Sequence, residues 1–514
     1  MSSSDDVLLR RASRSMFWNA TLLPLITIFN LAAAVLIRRY FGLDSGRYDV
    51  VIGLVNSWML YPDLGLTTTL SQFAPGLEAR HGRSAVTAFL RRVGALRMLL
   101  LLVVLIPANL FADVIAAQLQ LGPAGAWLIH LTTLLTAIRA ANDLVMKSLQ
   151  ALLQHLAANL LQFAQALAAA AVMVAVFATG QTLEIVVAGL ILAGLAILAV
   201  GIWQLARSLA AIPEGDSAQD GDFSPGVPRN RFARFSLFMG VYNWLNYFVT
   251  PAFASPMIAA VAASAAPVAL FNVGFQLPQM GVVLMLAGFQ GLYRPLFARL
   301  FDDDDPGKLR NAFSEVSKVQ AAFLLPAGAG LFVLAENYIP LMFGPEFAAA
   351  VPIARALSVL MVLEALFNLG TILLSVDHQY RDVLLAQAIR LAALPSFVYL
   401  AAQSNVLGAA VVFGLARALS TQLGYWLARR RYGVSFPFGF VARAAAPTLA
   451  MIVALVAVRA VVGGGWPQVA GLTVLGVVVV AVGTRLFGVM SEHELALLER
   501  ARIPGGKYIV GWLR

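Results

Sequence analysis

Long apolar runs alternate with short polar connections along the whole chain of 514 residues. Most runs reach the roughly 20 residues that a helix needs to cross a bilayer. Apolar residues follow one another without strand-like alternation, so the pattern predicts helices rather than a membrane barrel. About 14 spans are predicted on this basis, at 16–37, 48–71, 93–114, 124–146, 157–179, 183–206, 236–260, 266–293, 318–336, 350–374, 381–401, 405–427, 441–461 and 467–488.

Composition supports an all-α polytopic membrane protein. Hydrophobic residues make up 60% of the chain and charged residues only 12%, against about 25% charged residues in soluble domains. The formal charge of +10 is explained by basic cytoplasmic loops, so nucleic acid is not expected as a partner. The chain has no cysteine, and its five histidines are scattered. We therefore expect no metal site, no thiol chemistry and no cofactor.

Basic residues cluster in every second connection, which places those connections and both termini in the cytoplasm. The protein is accordingly predicted to be a multi-pass membrane protein. The outer connection 38–47 is the exception, because it contains Arg38, Arg39 and Arg47. These side chains either extend to the outer interface or line a cavity.

The polar segment 207–233 divides the predicted spans into six before it and eight after it. A shift of 220 residues aligns Arg11 with Arg231, Arg14 with Arg234 and Pro75 with Pro295, which favours two parallel six-helix repeats. The predicted organisation is an N-terminal lobe at 1–206, a cytoplasmic linker at 207–233, a C-terminal lobe at 234–427, an extra helix pair at 428–488 and an amphipathic cytoplasmic tail at 489–514.

Ionisable residues inside spans are candidate functional residues, because they usually face a cavity or a partner. Asp63 is either a proton or cation site or the cap of a helix break at Tyr61-Pro62-Asp63. Arg139 and Asp143 either neutralise each other one turn apart, or Arg139 is presented to an anionic substrate while Asp143 orients the Arg139 side chain. Glu364 either forms a structural pair with Arg355 or Arg390 or takes part in ion coupling.

In the spans of the second half, arginine outnumbers acid, and a guanidinium can bind two phosphate oxygens at once. Arg355 and Arg417 could instead lie at helix ends. The candidate head-group residues are Arg139, Arg355, Arg390, Arg417, Arg38 and Arg39, and the candidate ion-coupling residues are Asp63, Asp143 and Glu364. Amides in spans 1, 7 and 8 either join helices or contact sugar hydroxyls; these are Asn19, Asn30, Asn243, Asn246 and Gln276.

Two stretches resemble a known transporter family. Phe41-Gly42 forms the turn after the first span, and Asp63-Leu64-Gly65-Leu66 ends the second, as in Wzx-type oligosaccharide flippases of the MOP exporter superfamily. The segment 271–300, closed by Pro295, is similar to the eighth span of the same family.

The resemblance implies two six-helix lobes in a V around a cationic cavity, with two further helices forming a groove for lipid. It implies transport of polyprenyl-diphosphate-linked oligosaccharides to the outer leaflet by ion-driven alternating access. The expected partners are the lipid-linked oligosaccharide and membrane lipids, with a polysaccharide polymerase and a chain-length regulator as candidate protein partners. No enzymatic activity is expected.

Two other functions fit parts of the sequence. An ion-coupled drug or metabolite antiporter of the same superfamily would share the fold, but acids should then predominate in its cavity. A membrane glycosyltransferase or ligase would need paired acids or a metal site in a sizeable loop, and the predicted outer loops are short. The excess of arginine over acid within the spans favours the flippase.

Overall fold

The structure is a computed structural model, and it is built from helices. It describes residues 22, 24–214, 227–286, 290–302, 305–460, 465–489 and 511. Eleven helical segments of this part are long and apolar enough to cross a membrane, which confirms an all-α multi-pass membrane protein. The start of the predicted first span, most of the predicted tail and the middle of the predicted linker lie outside the described residues.

The chain divides into two compact units, Met1–Ala269 and Leu270–Arg514. The first unit extends beyond the predicted linker and includes the helices that follow it. Its helices are α1 (24–41), α2 (Ser45–Leu60), α3 (Leu66–Leu110), α4 (Ala112–Gln118), α5 (Gly125–Ala151), α6 (His155–Thr179), α7 (Leu183–Ala210), α8 (Arg229–Tyr247), α9 (Pro251–Val261) and the first turn of α10 (Ala266–Leu286).

Several helices are longer or more broken than the apolar runs predict. The first two predicted spans form one continuous segment, Pro24–Asp63, because only a short 3₁₀ turn, Gly42–Asp44, lies between them. The second and third predicted spans meet in α3. This helix is interrupted at Gly82, whose backbone angles of φ 67° and ψ −160° are not helical. The predicted seventh span is two helices, α8 and α9, and Thr250 caps the second.

The predicted fourth span corresponds to α5, which is not one of the eleven apolar segments. With 27 residues the helix is long enough to cross a bilayer, but its threonines, Arg139 and Asp143 lower its mean hydropathy. More than half of its residues are nevertheless buried within the first unit, so neighbouring helices shield this polar helix.

Helix α8 packs closely against the break between α2 and α3. A β-carbon on Gly65 would lie 2.4 Å from the Ser236 carbonyl oxygen, and one on Gly240 would lie 2.8 Å from the Leu64 carbonyl carbon. The Ser236 hydroxyl donates to the Leu64 carbonyl at 2.7 Å. Only glycine permits this approach, since Gly65 also has a positive φ of 76°.

Both described ends of the predicted linker pack against α3. Ile212 and Val227 are buried in an apolar cluster with residues of α3. The Arg83 amide donates to the Pro213 carbonyl at 3.0 Å, beside the interruption at Gly82. The linker is therefore fixed to α3 at both of these ends.

The second unit holds the rest of the described helices. These are most of α10, then α11 (Gln290–Asp302), α12 (Pro306–Phe343), α13 (Val351–Val376), α14 (Tyr380–Ala392), α15 (Leu394–Ala402), α16 (Val406–Tyr432), α17 (Phe438–Arg459) and α18 (Trp466–Leu486). The pair α17–α18 contacts α12 through a buried cluster that includes Val333, Met451, Leu455 and Leu472.

Candidate substrate-binding cavity

The Asp63 side chain is positioned by the break between α2 and α3. Pro62 lies in the 3₁₀ turn Tyr61–Asp63, and Leu64 and Gly65 then adopt left-handed conformations. The Thr67 hydroxyl donates to Asp63 Oδ2 at 3.0 Å. Asp63 therefore lies at a helix break, and its carboxylate contacts Thr67 in the first turn of α3.

Arg97 on α3 holds two acids of the first unit. Its Nε lies 3.0 Å from Asp63 Oδ1, and its Nη2 donates to Asp143 Oδ2 at 2.8 Å. Its Nη1 donates to the Ala140 carbonyl at 3.1 Å. Arg97 is only 3% exposed. These contacts form the Arg97 network, in which both carboxylates share one buried guanidinium.

Arg139 is one turn before Asp143, yet the two side chains form no ion pair. Among the residues that the structure describes, Arg139 has neither a hydrogen-bond partner nor a carboxylate within ion-pair distance. Asp143 is oriented toward Arg97 instead. The mutual neutralisation left open by the sequence is thus absent here, and the charge of Arg139 is available to a ligand.

Arg139 lines a cavity of about 300 Å³ inside the first unit, which we call the polar cavity. Amides from four helices line it: Asn30 on α1, Asn56 on α2, Asn142 on α5, and Gln162 and Gln165 on α6. Asp143, Met59, Met146 and several aliphatic side chains complete the wall. Asn30 and Gln162 are exposed, so the cavity is open on that side.

This lining can bind an anion and several hydroxyl groups together. A guanidinium binds planar or tetrahedral oxyanions, and an amide both donates and accepts hydrogen bonds. Within the described residues, no group of three His, Asp or Glu side chains could hold a metal ion. The cavity is therefore suited to recognition of a polar, anionic ligand.

The candidates at the outer rim differ from each other. Arg38 is buried and donates to both oxygens of Asp49, at 3.0 and 3.1 Å. It therefore joins the end of α1 to the start of α2. Arg39 is exposed. Arg39, in contrast to Arg38, is thus accessible at the surface, as expected for a side chain at the interface.

Arg417 and Arg355, two candidate arginines of the second unit, have acidic partners. Arg417 Nε donates to Glu364 at 2.7 Å and its guanidinium lies 5.3 Å from the Phe275 ring centroid. Glu364 thus contacts Arg417, rather than Arg355 or Arg390 as considered from the sequence. Arg355 Nη2 donates to Glu336 at 2.7 Å.

Glu336 has a second arginine partner, Arg459 on α17, at 2.5 Å. It therefore joins α12, α13 and α17. The third candidate, Arg390 on α14, is 6% exposed. No ligand role is assigned to these arginines by the contacts, and their binding of a head group stays a prediction.

The candidate amides are scattered. Asn30 lines the polar cavity, and Asn19 lies outside the described residues. Asn246 donates to the Tyr242 carbonyl within α8 at 2.9 Å. Asn243 and Gln276 are half-buried and are not among the residues that line the cavity.

Sequence reasoning missed Arg97, Asn56, Gln162 and Gln165. Arg97 lies within the predicted span 93–114 but near its start, only five residues after Arg92, so it resembles the basic residues of the preceding connection. The spacing of Gln162 and Gln165 was a usable signal, because residues three apart lie on one helix face. No pattern in the sequence could show that this face meets Arg139.

The comparisons with known proteins agree with this fold. The family model described as "Polysaccharide biosynthesis protein" matches residues 50–352. The lipopolysaccharide biosynthesis protein WzxC of Escherichia coli K12 is 27% identical over 137 residues, which are 26% of this chain and 27% of that relative. The chain thus aligns with about a quarter of the length of this curated relative.

Two solved structures share the fold. The lipid II flippase MurJ, in an inward closed conformation, matches with a TM-score of 0.72 and 11% identity, over 91% of this chain and 98% of that one. A multidrug resistance MATE family transporter of the MOP superfamily, in an inward-facing conformation, matches with a TM-score of 0.61 and 15% identity, over 79% and 94% of the two chains.

The resemblance to Wzx-type flippases, inferred above from 41–66 and 271–300, is thereby confirmed. The family model covers more than half of the 514 residues. The chain therefore belongs to the polysaccharide biosynthesis protein family.

Proposed function

We propose that this protein moves a polyprenyl-diphosphate-linked oligosaccharide across a bacterial inner membrane for the synthesis of a cell-surface polysaccharide. The lipid tail stays in the bilayer while the polar part crosses through the protein by alternating access. In this proposal the protein is a transporter and not an enzyme. Its N- and C-termini are cytoplasmic, as the distribution of basic residues predicts.

One observation carries the proposal: a guanidinium without a carboxylate partner lines an amide-rich cavity within a membrane-spanning helical unit. An unpaired charge is unfavourable in a membrane helix unless it faces water or a ligand. Arg139 therefore contacts an anionic group of the cargo, and the amides contact its hydroxyl groups. The family match and the fold shared with MurJ support transport of lipid-linked cargo.

The same cavity argues against a cation antiporter. Its acid, Asp143, is paired with Arg97 at 2.8 Å, and the charge left for a ligand is positive. A site for organic cations would leave a carboxylate available instead. Ion coupling through Asp63 or Asp143 remains part of the proposal, because both could change partners when protonated.

The test is a deletion strain in which the leaflet that holds the lipid-linked oligosaccharide is determined. We expect completed repeat units to accumulate on the cytoplasmic face, and the wild-type gene to clear them. The variant Arg139→Ala, produced at normal levels, should clear them poorly. Normal surface delivery without accumulation, in a strain that lacks any second flippase, would contradict the proposal.

A further inference from the structure

We propose that the polar cavity binds a carboxylated sugar of the cargo, a uronic acid or similar residue, and that Arg139 is the partner of its carboxylate. This inference rests on the proposed function and specifies which part of the cargo the first unit recognises. The competing ligand for the same guanidinium is the diphosphate that joins lipid and sugar.

The charge balance favours one negative charge over a diphosphate. Arg97 and Arg139 carry two positive charges, and Asp63 and Asp143 carry two negative charges, so the four side chains together are neutral. A diphosphate would bring at least two negative charges close to the Asp143 carboxylate, which lines the cavity and is 27% exposed. Like charges repel, and solvent screens this repulsion only partly in a cavity that is open on one side. A single carboxylate can instead pair with Arg139 in a bidentate contact.

The amides point to a sugar. Within the described part of the chain, Asn30, Gln162 and Gln165 have no hydrogen-bond partner. Asn56 donates only to the Ile52 carbonyl at 2.8 Å, which leaves its amide oxygen available. Neutral amides match hydroxyl groups, which also donate and accept. A phosphate offers acceptors only and would be better served by further arginines or lysines.

The volume agrees with a single sugar residue. About 300 Å³ is at the lower end of the roughly 300–1,000 Å³ typical of ligand pockets. A whole oligosaccharide does not fit, so the cavity recognises one residue of the cargo. Met59 and Met146 provide adaptable apolar surface beside the amides.

The experiment compares two cargos that differ at a single carboxyl group. One is a short-chain polyprenyl-diphosphate disaccharide with a terminal glucuronic acid, and the other is its methyl ester. Translocation by the full-length protein is measured in proteoliposomes, and binding is measured in nanodiscs. We expect the wild-type protein to prefer the acid by roughly ten- to hundredfold, the range of a charged hydrogen bond.

The variant Arg139→Gln should lose this preference, while Arg139→Lys should keep part of it. Arg91→Gln is the matched control, because Arg91 is an exposed arginine of the same unit. It should keep the full preference. A preference that persists in Arg139→Gln would overturn the inference. The inference would also be overturned if Arg139→Gln bound both cargos more weakly by the same factor. That result identifies the diphosphate, which both cargos share, as the partner of Arg139.

The binding ratio decides the outcome for any variant that does not transport. If the proposed function were wrong, the wild-type protein would translocate neither cargo. The ratio of the two dissociation constants would still test the carboxylate preference of the purified protein. Equal wild-type affinity for acid and ester would overturn the inference, whatever the translocation result.

Discussion

Arg97 Nη2 donates to Asp143 Oδ2 at 2.8 Å, across 46 residues of sequence. The same guanidinium contacts Asp63 at 3.0 Å. This arrangement joins α3, α5 and the break before α3, and it leaves Arg139 without an intrahelical partner. The Arg97 network therefore has two effects, since it stabilises the first unit and sets the charge of the polar cavity.

Replacing Arg97 by leucine should strongly destabilise the first unit. Asp63 and Asp143 would then lose their shared cation, and breaking a buried pair in this way costs about 3–5 kcal/mol. Thermal unfolding in detergent should show a large loss of stability. The triple variant Arg97→Leu, Asp63→Asn, Asp143→Asn is the control and should recover much of the loss. An unchanged unfolding temperature for the single variant would contradict the ion-pair assignment.

Replacing Asp143 by asparagine should make the polar cavity more selective for acidic cargo. The change removes a negative charge from the wall while Arg97 keeps Asp63 as its partner. The ratio of ester to acid dissociation constants should rise a few-fold in nanodisc binding, roughly the effect of one solvent-screened charge. A ratio that falls would show that Asp143 helps to hold the anion.

Gly240→Ala should lower the free energy of unfolding. The added β-carbon would lie 2.8 Å from the Leu64 carbonyl carbon, and overpacking of this kind costs about 1–3 kcal/mol. Gly76→Ala in α3 is the control, because no heavy atom outside its own helix turn lies within 4 Å of the position that its added methyl group would take. That control should be neutral or stabilising by up to about 1 kcal/mol. Equal unfolding temperatures for the two variants would contradict the close approach of α8.

In the second unit, apolar packing should contribute more than the Glu336 ion pairs to the attachment of α17–α18 to α12. Leu455 is 1% exposed, and Leu455→Ala should cost about 2 kcal/mol through lost contacts. The Glu336 side chain is 49% exposed, so Glu336→Gln should cost less than about 1 kcal/mol. Thermal unfolding of both variants shows which one loses more stability. A larger loss for Glu336→Gln than for Leu455→Ala would contradict the prediction.

Single cysteines can test the orientation directly, because the natural chain contains none. Gln403 and Ala210 are both exposed, and the distribution of basic residues places Gln403 outside and Ala210 inside. An impermeant maleimide added to intact spheroplasts should label Gln403→Cys, and should label Ala210→Cys only after lysis. The opposite labelling pattern would invert the predicted topology.

The sequence was sufficient for the fold class, because runs of this length and apolarity have few alternatives to membrane helices. It also singled out Asp63, Arg139 and Asp143, since charges within apolar runs are conspicuous. It could not assign their partners. The contact of Arg97 with Asp143 joins two helices, α3 and α5. Which side chains meet there depends on how each helix is rotated about its axis, and that rotation is set by packing that no local sequence pattern encodes. Likewise, the spacing of one turn suggested an ion pair between Arg139 and Asp143. In the structure the Asp143 carboxylate pairs with Arg97 of α3 instead.

The Arg97 network also bears on how the chain enters the membrane during synthesis. Helix α5 is too polar to rank among the strongly apolar segments, and Asp143 within it disfavours insertion by itself. Arg97 precedes Asp143 in the chain, so it emerges from the ribosome first. We expect α5 to remain beside the insertion machinery until it meets α3, and the two helices to partition into lipid together as a neutralised pair.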